Sequence, residues 1–129
     1  MRNSKLVLLV DDDLGFQEIV ATKLKRSGFL VAEAHDGKEA IEKCNILNPD
    51  LVLMDVNMPK ENGTEAVMDL SKKKETPLKV VFLTSMNNPW PGLEEGDALK
   101  VSQGLGAAGF LNKSEDIDIL IDKIKGYLA

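Results

Sequence analysis

At 129 residues, with 43% hydrophobic and 29% charged residues, the chain has the balance of one globular domain spanning 1–129, neither disordered nor fibrous. A net charge of −5 and a pI near 4.9 argue against a nucleic-acid surface, which needs a basic face. The lone cysteine, Cys44, excludes an internal disulfide, no apolar run approaches the ~20 residues of a membrane span, and Met1–Val10 does not read as a signal peptide, so a reducing, cytoplasmic location is expected.

Leu6 to Val10 is a short apolar run bounded by Lys5 and Asp11, the pattern of a strand buried on both faces of a parallel sheet. After Asp11-Asp12-Asp13, Phe16, Ile19, Val20 and Leu24 recur at helical spacing, with Gln17, Glu18, Lys23 and Lys25 elsewhere on the wheel. Gly28 closes that helix. Phe29 to Ala34, apolar except for Glu33, predicts a second and less buried strand. Asp36-Gly37 reads as a turn. Ala40, Ile41, Cys44 and Leu47 give a second helical stripe, closed by Asn48-Pro49. Leu51 to Met54 is a third buried run, and Asp55 is its first charged residue. Pro59 cannot continue a central strand, so the chain leaves the sheet there.

Beyond Pro59, a polar segment offers Gly63 for an unusual backbone angle. Ala66, Val67 and Leu70 mark a third helix, and the lysines at 72–74 read as its solvated end, complementing the helix dipole. Val80 to Leu83 predicts a fourth strand ending at Thr84-Ser85, and Gly109 to Leu111 a fifth ending at Asn112-Lys113. Ile117, Leu120, Ile121, Ile124 and Leu128 line a last amphipathic helix, with Ser114 as its N-cap and Glu115 and Asp116 in its first turn. Strands alternating with helices imply an α/β fold. The flavodoxin-like doubly wound parallel sheet, order 2-1-3-4-5, with about five helices in three α/β/α layers, fits the order of elements.

Four of these strands end in a polar residue of a particular kind: Asp11 and Asp12, Asp55, Thr84, and Lys113. Taken singly, each has an ordinary explanation as a turn, a helix entry or a solvated side chain. Ligands of doubly wound sheets, however, bind at the carboxyl ends of the strands, where all of these residues converge. Three carboxylates so close repel one another and raise their pKa values. Oxygen ligands without His or Cys point to Mg²⁺, which relieves that conflict. Lys113 brings a compact charge that pairs with phosphate, and Thr84 a neutral donor.

The segments VDDD at Val10–Asp13, MDVNMPKENG at Met54–Gly63, LTS at Leu83–Ser85 and GAAGFLNK at Gly106–Lys113 resemble the receiver domain of two-component response regulators, over essentially the whole chain. The resemblance implies a phosphorylatable signalling domain that assists its own phosphorylation and dephosphorylation, and not an enzyme in the ordinary sense. Asp55 is then the phospho-acceptor, served by a sensor histidine kinase or histidine phosphotransfer protein. Asp12 and Asp55 would ligate Mg²⁺ through their side chains, Asn57 through its carbonyl, and Asp11 mostly through a bound water. Thr84, Ser85 and Lys113 would bind phosphoryl oxygens, and Thr84 with Phe110 would form the switch. Its movement would alter the face made by the fourth helix, fifth strand and fifth helix, for a downstream protein, with homodimerisation on phosphorylation left open. Neither nucleic acid nor membrane is expected as a partner.

The chain departs from the family pattern in three places. It is longer between Thr84 and Lys113, with the extra length in Met86–Asp97, where Trp90 either packs its loop onto the body or gates access. Ser114 stands where proline is usual, leaving the isomer of the Lys113–Ser114 bond open. Ser85 replaces a small apolar residue. Asn57 and Met86 flank the pocket, where the resemblance implies they tune the lifetime of the phosphorylated state. Three other readings compete: the receiver of a longer hybrid protein, an Mg²⁺-dependent phosphohydrolase of small molecules, and a receiver that no longer accepts phosphate. The hydrolase needs a further acid or base and a substrate cap, and no residue pattern supplies either.

Overall fold

The computed structural model describes residues 4–55, 79–84, 103 and 107–129. Five parallel strands, β1 (Leu6–Val10), β2 (Leu30–Ala34), β3 (Leu51–Asp55), β4 (Val80–Thr84) and β5 (Gly109–Asn112), form one sheet in the order β2-β1-β3-β4-β5. Among the described residues there are three helices, α1 (Leu14–Arg26), α2 (Gly37–Leu47) and α3 (Ile117–Leu128). The third helix expected from the sequence falls outside those residues, and of the fourth only the helical Gln103 is among them.

Burial explains the strand composition. Every residue of β1, β3 and β4 is buried, as continuous apolar runs require when both sheet faces are covered. The edge strand β2 is only partly covered, in keeping with its Glu33. Alternation along the strands divides the core in two. Val7, Leu9, Leu51, Leu53, Val81, Leu83 and Leu111 meet Val20 and Leu24 of α1 and Leu120, Ile121, Ile124 and Leu128 of α3. Leu8, Val10, Val52, Met54, Val80 and Phe82 meet Ala40 and Cys44 of α2, with Phe110 packed against them. Helices thus lie on both sides of the sheet.

Local chemistry sets the helix ends. Asp13 caps α1, accepting from the Phe16 N–H at 3.1 Å, and Lys23, Lys25 and Arg26 fill its last turn. Gly28, at φ 96°, takes the left-handed turn that follows. Asp36 is the N-cap of α2, accepting from the Glu39 N–H at 2.8 Å, so Asp36-Gly37 opens a helix where a plain turn was expected. Asn48, at φ 50°, ends that helix. The C-terminal helix corrects a second expectation: its cap is Asp116, which accepts from the N–H groups of Asp118 and Ile119, and not Ser114. Lys5 and Lys79 donate to the carbonyls of Leu128 and Tyr127 at its far end.

The phase of α1 also differs from the expected one. Gln17 is buried along with Val20, Ala21 and Leu24, whereas Ile19 is 53% exposed. The Gln17 side-chain amide donates to Leu9 O at 3.1 Å and Ala34 O at 2.8 Å, which removes the cost of enclosing it.

Candidate functional site

The register of the sheet assembles the site. Val10 pairs with Met54, so Asp11 and Asp55 reach the carboxyl rim side by side. Asp55 pairs with Leu83, and Thr84 with Asn112, so Thr84 and Lys113 follow at the same rim. Strand alternation puts Asp55 on the side of α1 and α3, and Thr84 on the opposite side with Phe110. Asp11, Asp55 and Thr84 are buried, Asp12 is exposed, and Phe110 is half-buried.

Two backbone bonds fix the ends that carry the charges. The Asp11 N–H donates to Ala34 O at 3.1 Å, and the Lys113 N–H donates to Thr84 O at 2.7 Å. Asn112 Oδ1 accepts from the Ser114 N–H at 2.8 Å, which shapes the exit from β5 without a proline. No cis peptide bond occurs among the described residues, so the Lys113–Ser114 bond is trans.

Lys113 Nζ lies 2.6 Å from Asp11 Oδ2 and 3.7 Å from Asp55 Oδ2. Asp11 Oδ1 accepts from the Asp13 N–H at 2.9 Å. Burial pushes the Asp11 carboxyl from 3.8 up to about 6, and the Asp55 charge adds to the rise against the contacts from Lys113 and Asp13. Crowding of acids was the expected cause; enclosure is the larger one. For Lys113, burial favours the neutral amine, but Asp11, Asp55 and Asp13 together outweigh it and raise the ammonium above its usual 10.5.

Asp11, Asp12 and Asp55 each offer a carboxylate oxygen, and these atoms lie within 4.8 Å of one another. Among the described residues no His or Cys joins them, which suits a hard cation such as Mg²⁺. Asp11 Oδ2 is enclosed and, although at charge-pairing distance from Lys113, receives no hydrogen bond of good geometry. With carboxylate oxygens of Asp11, Asp12 and Asp55 gathered at one rim, the donor set fits the metal.

A family model, the response regulator receiver domain, matches residues 7–125. The chain belongs to this family. The transcriptional regulatory protein PdtaR of Mycobacterium tuberculosis is 32% identical over 120 residues, covering 92% of this chain and 54% of that protein. Among solved receivers, the chemotaxis response regulator CheY4 of Vibrio cholerae is 27% identical with a TM-score of 0.84, covering 98% of this chain and 100% of that one. The response regulator TrrA of Thermotoga maritima, solved in complex with Mg(2+)-BeF, is 29% identical with a TM-score of 0.78, covering 96% of this chain and 99% of that one. The chain therefore spans about half the length of this curated relative and nearly all of the solved receivers.

The receiver rim brings together Asp11, Asp12, Asp55, Thr84 and Lys113, five of the residues singled out by sequence. Asn57, Ser85, Met86, Trp90 and the Met86–Asp97 loop lie outside the described residues. Three participants were not anticipated. Asp13 joins Asp11 to the start of α1, Gln17 ties the ends of β1 and β2, and the Phe16 ring lies 4.6 Å from Lys113 Nζ. An Asp three residues before Phe16 is a cap signal that sequence can yield. The ring's contact with Lys113 depends on packing between distant segments and leaves no such trace.

Proposed function

We propose that the chain is a phospho-acceptor signalling switch, a single receiver domain over 1–129 in which Asp55 takes a phosphoryl group from a sensor histidine kinase or histidine phosphotransfer protein. One observation carries the reading: Asp55 ends a buried strand, 4% exposed, beside Asp11 and with the Lys113 ammonium 3.7 Å from its Oδ2. The likeness to TrrA, solved with Mg(2+)-BeF, supports assigning Mg²⁺ to the acidic cluster.

In the transfer, an Asp55 oxygen attacks phosphorus, the P–N bond to the donor imidazole breaks, and its electron pair stays on the departing nitrogen. Asp12, Asp55 and the Asn57 carbonyl would hold Mg²⁺ directly and Asp11 more remotely; once bound, the ion neutralises charge gathering on the phosphoryl oxygens. Lys113 turns from Asp11 to one of those oxygens, and Thr84 and Ser85 donate to another. Water later attacks the acyl phosphate, releasing phosphate and restoring the carboxylate. Thr84, drawn toward the phosphoryl group, vacates space for Phe110 on the same side of the sheet. The surface around β5 and its flanking helices then changes for a downstream protein, with a homodimer as one form of that output. By resemblance, Asn57 and Met86 tune the lifetime of the phosphorylated state; Trp90, in a loop that departs from the family pattern, either packs that loop onto the body or gates access. The setting is cytoplasmic, with neither nucleic acid nor membrane as partner.

Borohydride reduction after treatment with acetyl phosphate and Mg²⁺ tests the acceptor. Peptide mapping is expected to find homoserine in place of Asp55; homoserine at another aspartate, with Asp55 intact, refutes the assignment.

A further inference from the structure

Among the described residues, three groups of opposite charge or aromatic character lie against the Lys113 ammonium. Two are the carboxylates of Asp11 and Asp55, and the third is the Phe16 ring, whose centroid lies 4.6 Å from Nζ. Phe16 sits in the first turn of α1, and its N–H is the one capped by Asp13. The Asp13 N–H in turn donates to Asp11 Oδ1 at 2.9 Å. Acid and ring therefore belong to one short, internally bonded segment, and the ring also packs against the core on that side of the sheet.

Lys113 is anchored differently. Its backbone is tied to Thr84 O, but its ammonium sits at the end of a flexible four-carbon stem. Asp11 alone would keep that charge on the metal side of the site. An aromatic face attracts a cation through its quadrupole, without hydrogen-bond direction, so it retains the charge while leaving it free to turn. With Asp11 on one side and Asp55 on another, the ring supplies the wall that keeps Nζ between them.

We infer that Phe16 is a positioning residue of this site, its ring face holding the Lys113 ammonium within reach of the oxygens carried by Asp55. The inference rests on the proposed role of Lys113 in phosphoryl binding and adds a residue that the acidic rim does not contain. Replacing the ring by an aliphatic group of similar bulk removes the π face and leaves the acids, the lysine and most of the packing in place.

The test compares Phe16→Leu and Phe16→Met with Phe16→Tyr and Phe16→Trp in the full chain. Nuclear magnetic resonance of the Lys113 ε-methylene protons reads the contact, because an aromatic face shifts them upfield. The shift is expected in the parent and both aromatic variants and absent from both aliphatic ones. Initial phosphoryl uptake from acetyl phosphate with Mg²⁺ is expected to slow about three- to tenfold in the aliphatic variants and to return to near the parent rate in the aromatic ones. An unchanged shift in Phe16→Leu or Phe16→Met, or equal rates in all four variants, overturns the inference. A parent that takes up no phosphoryl group contradicts the proposed function instead, and the upfield shift still decides whether ring and ammonium meet.

Discussion

The Lys113 ammonium lies 2.6 Å from Asp11 Oδ2, closer than its 3.7 Å to Asp55 Oδ2, and it is the positive charge that lets two neighbouring acids remain enclosed. The Asp11 side chain has no exposed surface, and that of Lys113 has 13%. Removing one partner from such a pair leaves an uncompensated charge. Lys113→Met is therefore expected to destabilise the metal-free protein by about 1–3 kcal/mol, less than a fully rigid pair because Asp11 can protonate instead. Urea unfolding in EDTA measures this, and Mg²⁺ is expected to restore part of the loss.

The Asp11 carboxyl gives the site a pH dependence of known sign. Its folded pKa, about 6, stands above the ordinary value of 3.8. A raised pKa means that the folded state holds this proton more tightly, so the contribution is fully present below about pH 3.8 and lost as pH rises through about 6. The loss is roughly 2–3 kcal/mol in the metal-free protein. Mg²⁺ competes with that proton, so its apparent affinity is expected to rise between pH 5 and 7, with about one proton released per ion at the acid end. Calorimetric titration in buffers of different ionisation enthalpy counts the protons. In Asp11→Asn the pH dependence is expected to flatten.

Gln17 carries a prediction about the scaffold. Its amide donates to Leu9 O and to Ala34 O, and Ala34 O also accepts from the Asp11 N–H. Gln17→Leu preserves bulk and removes both donations at the strand ends that bear the acids. A loss of about 1–3 kcal/mol is expected in urea unfolding. If the midpoint does not move, the amide bonds contribute nothing net to folding.

Much of this architecture is legible in the chain because buried parallel strands announce themselves. Leu6–Val10, Leu51–Met54 and Val80–Leu83 are apolar throughout, and the polar residue that ends each one marks the rim. Chain order then fixes which rim residues meet, since the 2-1-3-4-5 order places β1 beside β3 and β3 beside β4. The helices are harder to phase. Apolar spacing put Ile19 inside and Gln17 outside, and the fold reverses them: the Gln17 amide is enclosed at no cost because it donates to Leu9 O and Ala34 O. The cap of α3 is Asp116 and not Ser114 because the helix begins only at Ile117, which puts the Asp116 carboxylate, not the Ser114 hydroxyl, next to the free N–H groups of Asp118 and Ile119. Polar side chains that meet partners from other segments carry no periodic signal.

The central claim is that Asp55 accepts a phosphoryl group with help from Mg²⁺. Intact-mass spectrometry after incubation with acetyl phosphate tests it most directly. The account predicts one added phosphoryl group on the parent with Mg²⁺, little or none in EDTA, and none on Asp55→Asn. An unmodified parent with Mg²⁺ present, or an Asp55→Asn variant modified as fully as the parent, contradicts it.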